Sequence, residues 1–491
     1  MNSTPETTSE PKLTGGRIAR HALWAAADNW TQQAGQLVAF LVIGNIVGPE
    51  LFGIMAMAHL YILFVHAFLV DGLSEAIVQR KDIEDGHLDA AFWLLLALGA
   101  LATGLSYFAA DLVAAFFGRD ALVEVVRWIS VSFIIVGVAS VQQCILRRHL
   151  AFHSLAVRSF VTYSVSAVVG IVLALQGYGL WSLVIYYLSQ RVLDLLMLTI
   201  GSRWWPQFRC SRAHLGDLLH FGVHNMGVRV VAFVGLQAER VIVGFFLGAT
   251  ELGFFGMARR IVGSASYALT GVTNSVMMSV LSRQQVDKRT LNRTLTNTTQ
   301  VMSLVTFPAF VGLILVAPDV IGAALRPEWQ GLTLILQIIA FNGLWHCITF
   351  YLSTALRALG RADLTFRFAC MSVSVRVVVS LLLVRYGLEA IAVSSVTITL
   401  LGAPALLYLV ARHAAISPRS YLRSFAPAVI ATLFMAGCVA ATDHLFLESF
   451  TLSSGLRAVL LIATGVTAYV LALLATARQL ITTIWRQIRT A

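Results

Sequence analysis

Apolar runs of membrane-spanning length succeed one another from 22–47 to 456–477, about fourteen in all, separated by short polar turns. A hydrocarbon layer about 30 Å thick takes about 20 mainly apolar residues as a helix, with every backbone N–H and C=O bonded internally. Runs of this length therefore specify an all-α, polytopic membrane protein of about fourteen transmembrane helices. Hydrophobic residues make up 58% of the 491 positions and charged residues 12%, well outside the range of soluble domains. Within the longest apolar stretches, GPEL at 48–51, GYGL at 177–180 and GATEL at 248–252 mark tight turns between two helices.

The polar segment 1–20 lacks the short apolar core of a cleavable signal and is expected to be a cytosolic tail. Lys and Arg crowd one side of the expected topology: Arg80 and Lys81, Arg147, Arg148 and Arg158, Arg283 and Lys288, Arg357 and Arg361. The other side holds little beyond Arg119, Arg326, Arg385 and Arg457. By the positive-inside rule the crowded side is cytosolic, which puts both termini there and agrees with an even helix count. The net charge of +11 then decorates the inner face, where it suits anionic lipid and carries no nucleic-acid signal. The five cysteines are scattered, without a CxxC pair, so neither a disulfide framework nor a metal site is expected.

One phrase occurs twice. VIGNIVGPELFGIMAMA at 42–58 is echoed by IVGFFLGATELGFFGMA at 242–258, with Gly44, Gly48, Gly53, Met57 and Ala58 recurring as Gly244, Gly248, Gly253, Met257 and Ala258. The copies lie six helices apart, an even number, so both run the same way across the membrane. This predicts two pseudo-symmetric six-helix bundles related by an axis along the membrane normal, a parallel repeat of the kind that encloses a central cavity. The expected lobes are 21–201 and 218–412, joined by a cytosolic linker at 202–217 and followed by two further helices and a tail at 413–491.

Ionisable residues at membrane depth face a partner or a wet cavity. Glu239 and Arg240 precede the second copy's turn by about eight residues, and Arg259 and Arg260 follow it by about eight, so all four sit roughly 12 Å below the ends of adjacent helices. Two readings stand: a structural Glu239–Arg pair, or, because arginine is in excess, a cavity for an anionic group. Arg376 lies mid-helix and is either bonded to the backbone or in contact with substrate. Arg229, near a helix end, is a weaker substrate candidate because snorkelling is the default there. His59 occupies the position matching Arg259 two hundred residues earlier, and with His66 it is either pH-sensitive or a hydrogen-bonded core residue. Asp28, Asp71 and Glu75 lie toward the cytosolic side, where solvated carboxylates are expected; facing the cavity instead, they would carry a coupling ion. Serine-hydrolase, phosphate-loop and zinc-protease motifs are absent and the loops are short, so no enzyme is expected and no cofactor is implied.

Several motifs in order resemble the polysaccharide exporters and lipid-linked oligosaccharide flippases of the multidrug/oligosaccharidyl-lipid/polysaccharide superfamily. They include GPELFG at 48–53, DGLSEAIVQRKDIEDGHLDAAFW at 71–93, GYGLWSLV at 177–184, the 242–258 phrase with its flanks, LSRQQVD at 281–287, FPAFVGLILVAPDVI at 307–321 and ALRALGRADLTFR at 355–367. The resemblance implies a V-shaped two-lobe fold and alternating access, often ion-coupled. It further implies transfer of an undecaprenyl-pyrophosphate-linked sugar unit across the bacterial inner membrane for exopolysaccharide, capsule or lipopolysaccharide synthesis. A polysaccharide polymerase and a chain-length regulator are the partners it suggests. Two positions depart from the family pattern: Glu239 stands where similar proteins often have Asp, and Ser279 where a proline often precedes LSR, which puts a kink there in doubt. The rivals are a drug/cation antiporter of the multidrug and toxin extrusion type, expected to favour acidic cavity residues, and a polysaccharide polymerase or ligase, expected to carry a large periplasmic loop.

Overall fold

A computed structural model describes residues 15–69, 85–149, 151–207, 233–414, 416–447 and 452–476, and no β-strand occurs among them. The first half comprises α1 (Gly15–Val47), α2 (Pro49–Leu69), α3 (Asp85–Phe117), α4 (Ala121–Ser130), α5 (Ser132–Arg148), α6 (Phe152–Leu175) and α7 (Leu180–Ser202). The second comprises α8 (233–246), α9 (Ala249–Arg283), α10 (Lys288–Ala324), α11 (Leu332–Ala358), α12 (Ala362–Leu383) and α13 (Leu388–Ala414). Then follow α14 (Pro418–Arg423), α15 (Ala426–Thr442) and α16 (Ser454–Thr476).

Among the described residues, eleven helical segments are long and apolar enough to cross a membrane, a number compatible with fourteen spans. Two more of the expected spans, α1 and α9, are 33 and 35 residues long but carry Asp28 and several glutamines, or Glu251, Arg259 and Arg260, which lower their apolarity. The run at 122–145, expected as one helix, lies in a single membrane-crossing segment, Ala121–Arg148, with a turn at Val131 dividing α4 from α5. Ser279 lies within the unbroken helix α9. Large apolar side chains such as Phe108, Leu382 and Leu433 stand exposed around the outside, the arrangement a lipid solvent requires.

Helix neighbours repeat with the six-helix offset. In the first half α3 packs on α4 and α5, α5 on α7 and α6 on α7; in the second α10 packs on α11, α11 on α13 and α12 on α13. The pair α15 and α16 packs against α10 at the side of the second bundle.

The repeated phrase makes the crossing between the halves. Both turns need glycine, because Gly48 and Gly248 sit at φ +90° and +91°, where a side chain is strained. Beyond the turns α2 and α9 cross at their first turns. A Cβ on Gly53 would stand 1.8 Å from the Ala249 carbonyl oxygen, and one on Gly253 would stand 2.3 Å from that of Pro49. Position 53 thus meets 249 while 253 meets 49, the reciprocal contact that a two-fold axis generates. Met57, Ala58, Met257 and Ala258, just below the crossing, are fully buried.

The same end is tied across the two halves by hydrogen bonds. Trp329, fully buried and edge-on between Phe52 and Phe254, donates from Nε1 to the Gly44 carbonyl at 3.2 Å. The Arg326 backbone N–H donates to Asn45 at 2.6 Å, and its guanidinium donates to the Ile46 carbonyl at 3.0 Å.

Candidate functional site

Below the crossing, α1, α2 and α7 of the first half and α8 and α9 of the second enclose a cavity of about 250 Å³. Arg191 from α7, Arg240 from α8 and Arg260 from α9 converge on it, with His59 from α2 beside them. Arg260 donates to the Gln36 side chain, and its guanidinium carbon lies 4.6 Å from the centre of the Phe40 ring. Arg191 lies 4.9 Å over Tyr187, and Arg240 donates to Gln237 Oε1 at 3.1 Å. No carboxylate is among the described residues lining this cavity, and the Nε atoms of Arg240 and Arg260 are buried without a hydrogen-bond partner. Guanidinium groups stay charged in proteins, and the carboxylates that act on them, Asp194 on Arg191 and Glu239 on Arg240, are not part of the described lining.

A second cavity of about 490 Å³ opens inside the second bundle, between α9, α11, α12 and α13. Arg259 and Arg376 are on its wall. Between them lies Glu239, buried at 3% exposure, which accepts from Arg259 at 2.6 Å and stands 3.8 Å from Arg376 Nε. This buried carboxylate neutralises one of the two arginines.

The periodicity of α9 explains the division. Leu252, Gly256 and Arg260 recur every four residues and line the first cavity; Phe255, Arg259, Gly263 and Tyr267 follow the same spacing on the neighbouring strip and line the second. Consecutive arginines therefore serve different chambers. Of the residues singled out in the sequence, Arg240, Arg260 and His59 come together in the first cavity and Arg259 and Arg376 in the second, with Glu239 paired to both arginines of the second. His66 packs edge-on against Phe133 at 5.2 Å, a core contact. Arg229, Asp71 and Glu75 lie outside the described residues.

Asp28 departs from expectation. Its carboxylate is not solvated: α1 packs along α6, which turns it toward a hydrogen bond from Ser159, one from Gln32 at 2.9 Å and the Arg158 guanidinium at 3.6 Å. Arg158, expected to decorate a cytosolic loop, is instead buried at 5% exposure inside α6 and also faces Asp194 at 3.5 Å. Sequence reading passed over Arg191 and Asp194. Their signal was present, since both are ionisable residues in the interior of the apolar run 180–202. Among the described residues no group of acidic, histidine and cysteine side chains could hold a metal ion.

Comparison with known proteins agrees with this architecture. The chain is 24% identical over 355 residues to the teichuronic acid biosynthesis protein TuaB of Bacillus subtilis, covering 71% of this chain and 73% of that one. It is 25% identical to the succinoglycan biosynthesis transport protein ExoT of Rhizobium meliloti, over 77% of this chain and 76% of the relative. It is 21% identical to the lipopolysaccharide biosynthesis protein WzxC of Escherichia coli, over 68% of each. Among solved structures, the lipid II flippase MurJ in an inward closed conformation superposes with a TM-score of 0.74 at 19% identity, covering 94% of this chain and 99% of that one. An inward-facing multidrug transporter of the MATE family superposes with a TM-score of 0.62 at 17% identity, covering 78% and 94%. The fold is the one these two solved structures share. The model describing polysaccharide biosynthesis proteins matches residues 42–334, more than half of the chain, which therefore belongs to the polysaccharide biosynthesis protein family.

Proposed function

We propose that this protein is a flippase that moves an undecaprenyl-pyrophosphate-linked oligosaccharide unit from the cytosolic to the outer leaflet of a bacterial inner membrane, for assembly of an extracellular polysaccharide. The observation that carries the proposal is the convergence of Arg191, Arg240 and Arg260, from both halves, on one cavity with no carboxylate among its described lining residues. A pyrophosphate offers the planar, multi-acceptor oxygens that guanidinium groups bind best. The relatives named for polysaccharide synthesis and transport, and the fold shared with a lipid II flippase, support the same reading. A drug/cation antiporter fits less well, because three arginines repel a cationic cargo.

Residues 21–201 and 218–412 act as the two rocking lobes, with both termini in the cytosol. The Gly48 end is then periplasmic, and the Trp329 and Arg326 bonds across the halves close it, so the described state loads from the cytosol. Release follows when those bonds open. Flipping a head group this way shields it from hydrocarbon while the lipid tail stays in the bilayer. In this reading Glu239 and Asp28 hold arginines in place as counter-charges. A polymerase and a chain-length regulator would receive the product.

The test is the leaflet distribution of undecaprenyl-pyrophosphate oligosaccharide in depleted cells, read with a probe confined to the periplasm. The expected result is accumulation on the cytosolic side, reversed by the wild type and not by Arg240→Ala/Arg260→Ala at equal membrane abundance. Normal flipping with loss of polymer would overturn the proposal and move the protein downstream.

A further inference from the structure

Two neighbouring cavities of different chemistry share the wall of α9, and only the first suits a pyrophosphate. The second has two arginines shadowed by the buried Glu239 carboxylate, which weakens its pull on a doubly ionised anion. Its remaining wall mixes apolar side chains, Val262 and Ile339, with hydroxyl and amide groups and the imidazole of His346. Thr349 and Thr399 each donate their hydroxyl proton to a carbonyl of their own helix at 2.9 Å, leaving acceptor lone pairs for a ligand. Asn342 Oδ1 is buried without a hydrogen-bond partner, and Arg259 and Arg376 supply donors. Tyr267 and Phe255 add aromatic surface. Acceptors, donors and aromatic faces in a chamber of about 490 Å³ match the surface of a saccharide, whose hydroxyls both donate and accept.

We propose that this second cavity is a saccharide subsite, which holds the sugar unit while the first cavity holds the pyrophosphate. The inference rests on the flippase reading above. The stretches of α9 lining the two chambers are centred near residues 256 and 262, about 9 Å apart along the helix, and in the cargo the first sugar is bonded directly to the pyrophosphate. Selectivity for the repeat unit then resides in α11, α12 and α13, while the lipid pyrophosphate is read by residues of both halves.

Two glycines make the chambers separately addressable. A Cβ on Gly256, in the first cavity, or on Gly263, in the second, meets no atom within 4 Å, so a side chain can start from either position into the chamber. The experiment measures binding of purified wild type, Gly256→Leu and Gly263→Leu to two probes. One is bare undecaprenyl pyrophosphate, and the other is the same lipid carrying the oligosaccharide extracted from the producing cells. Wild type is expected to prefer the sugar-bearing lipid by about tenfold, the contribution of one or two hydrogen bonds. Gly263→Leu should bring that affinity down to the value for the bare lipid, whereas Gly256→Leu should weaken both. Retention of the wild-type preference in Gly263→Leu, equal weakening of both probes by it, or no preference in wild type overturns the subsite. Failure of wild type to bind either lipid overturns the flippase reading itself. Should Gly263→Leu not fold, the isosteric Thr399→Val, which removes one acceptor, is expected to reduce the preference by about threefold, and an unchanged preference overturns the subsite.

Discussion

Glu239 holds two arginines of the candidate site with one carboxylate. It is buried at 3% exposure and faces two guanidinium groups that keep 27% and 25% of their own side-chain surface. Glu239→Gln leaves both arginines without a counter-charge, and breaking a buried pair in this way costs about 3 kcal/mol or more. A fall of that size is expected in the unfolding free energy measured in detergent. Arg376→Gln, which leaves the 2.6 Å bond to Arg259 in place, should cost less than half as much. Equal effects would mean that the two arginines share the carboxylate evenly. The sequence showed that Glu239 could reach an arginine on the next helix, because eight residues on either side of a turn return to the same depth. It did not show that Arg260 turns away to Gln36 of the other half, a contact across 224 positions.

At the scale of elements, α2 and α9 behave as one crossing. Backbone oxygen already occupies the space beside Gly53 and Gly253, so Gly53→Ala and Gly253→Ala must each push the helices apart. Overpacking of this kind costs roughly 1–3 kcal/mol. Both variants should lower the thermal unfolding temperature, and the double variant should fall short of the sum, because the residues share one contact. Gly256→Ala, on the same helix but beside open space, is expected to be neutral or to stabilise by roughly 0.5–1 kcal/mol through helix propensity. A Gly53→Ala protein as stable as wild type would remove the crossing as the reason for the duplicated phrase.

For the whole molecule, the bonds at the Gly48 end join the two halves. Trp329→Phe removes the Nε1 donor to Gly44, and Arg326→Ala removes the guanidinium donor to Ile46, while neither residue lines the arginine cavity. Each hydrogen bond contributes about 1 kcal/mol, so the double variant should shift the balance between closed and open states by about tenfold or more toward opening at this end. Spin labels placed on the two halves near this end should report a longer-distance population. A distance distribution unchanged from wild type would show that the lobes are held elsewhere.

The all-α membrane-spanning class, the repeat and the family were legible along the chain, because each depends on features local in sequence: the length of an apolar run, a glycine at a turn, a phrase that recurs. Membership of one cavity or the other was not legible in the same way. Arg259 and Arg260 are adjacent in sequence yet face different chambers, and Asp28 finds Ser159 across 131 positions. The hydrophobic pattern puts a helix in the bilayer but leaves its rotation about its own axis open where lipid and protein interior are equally apolar. Close packing of one helix on another sets that rotation, and with it the chamber each arginine enters.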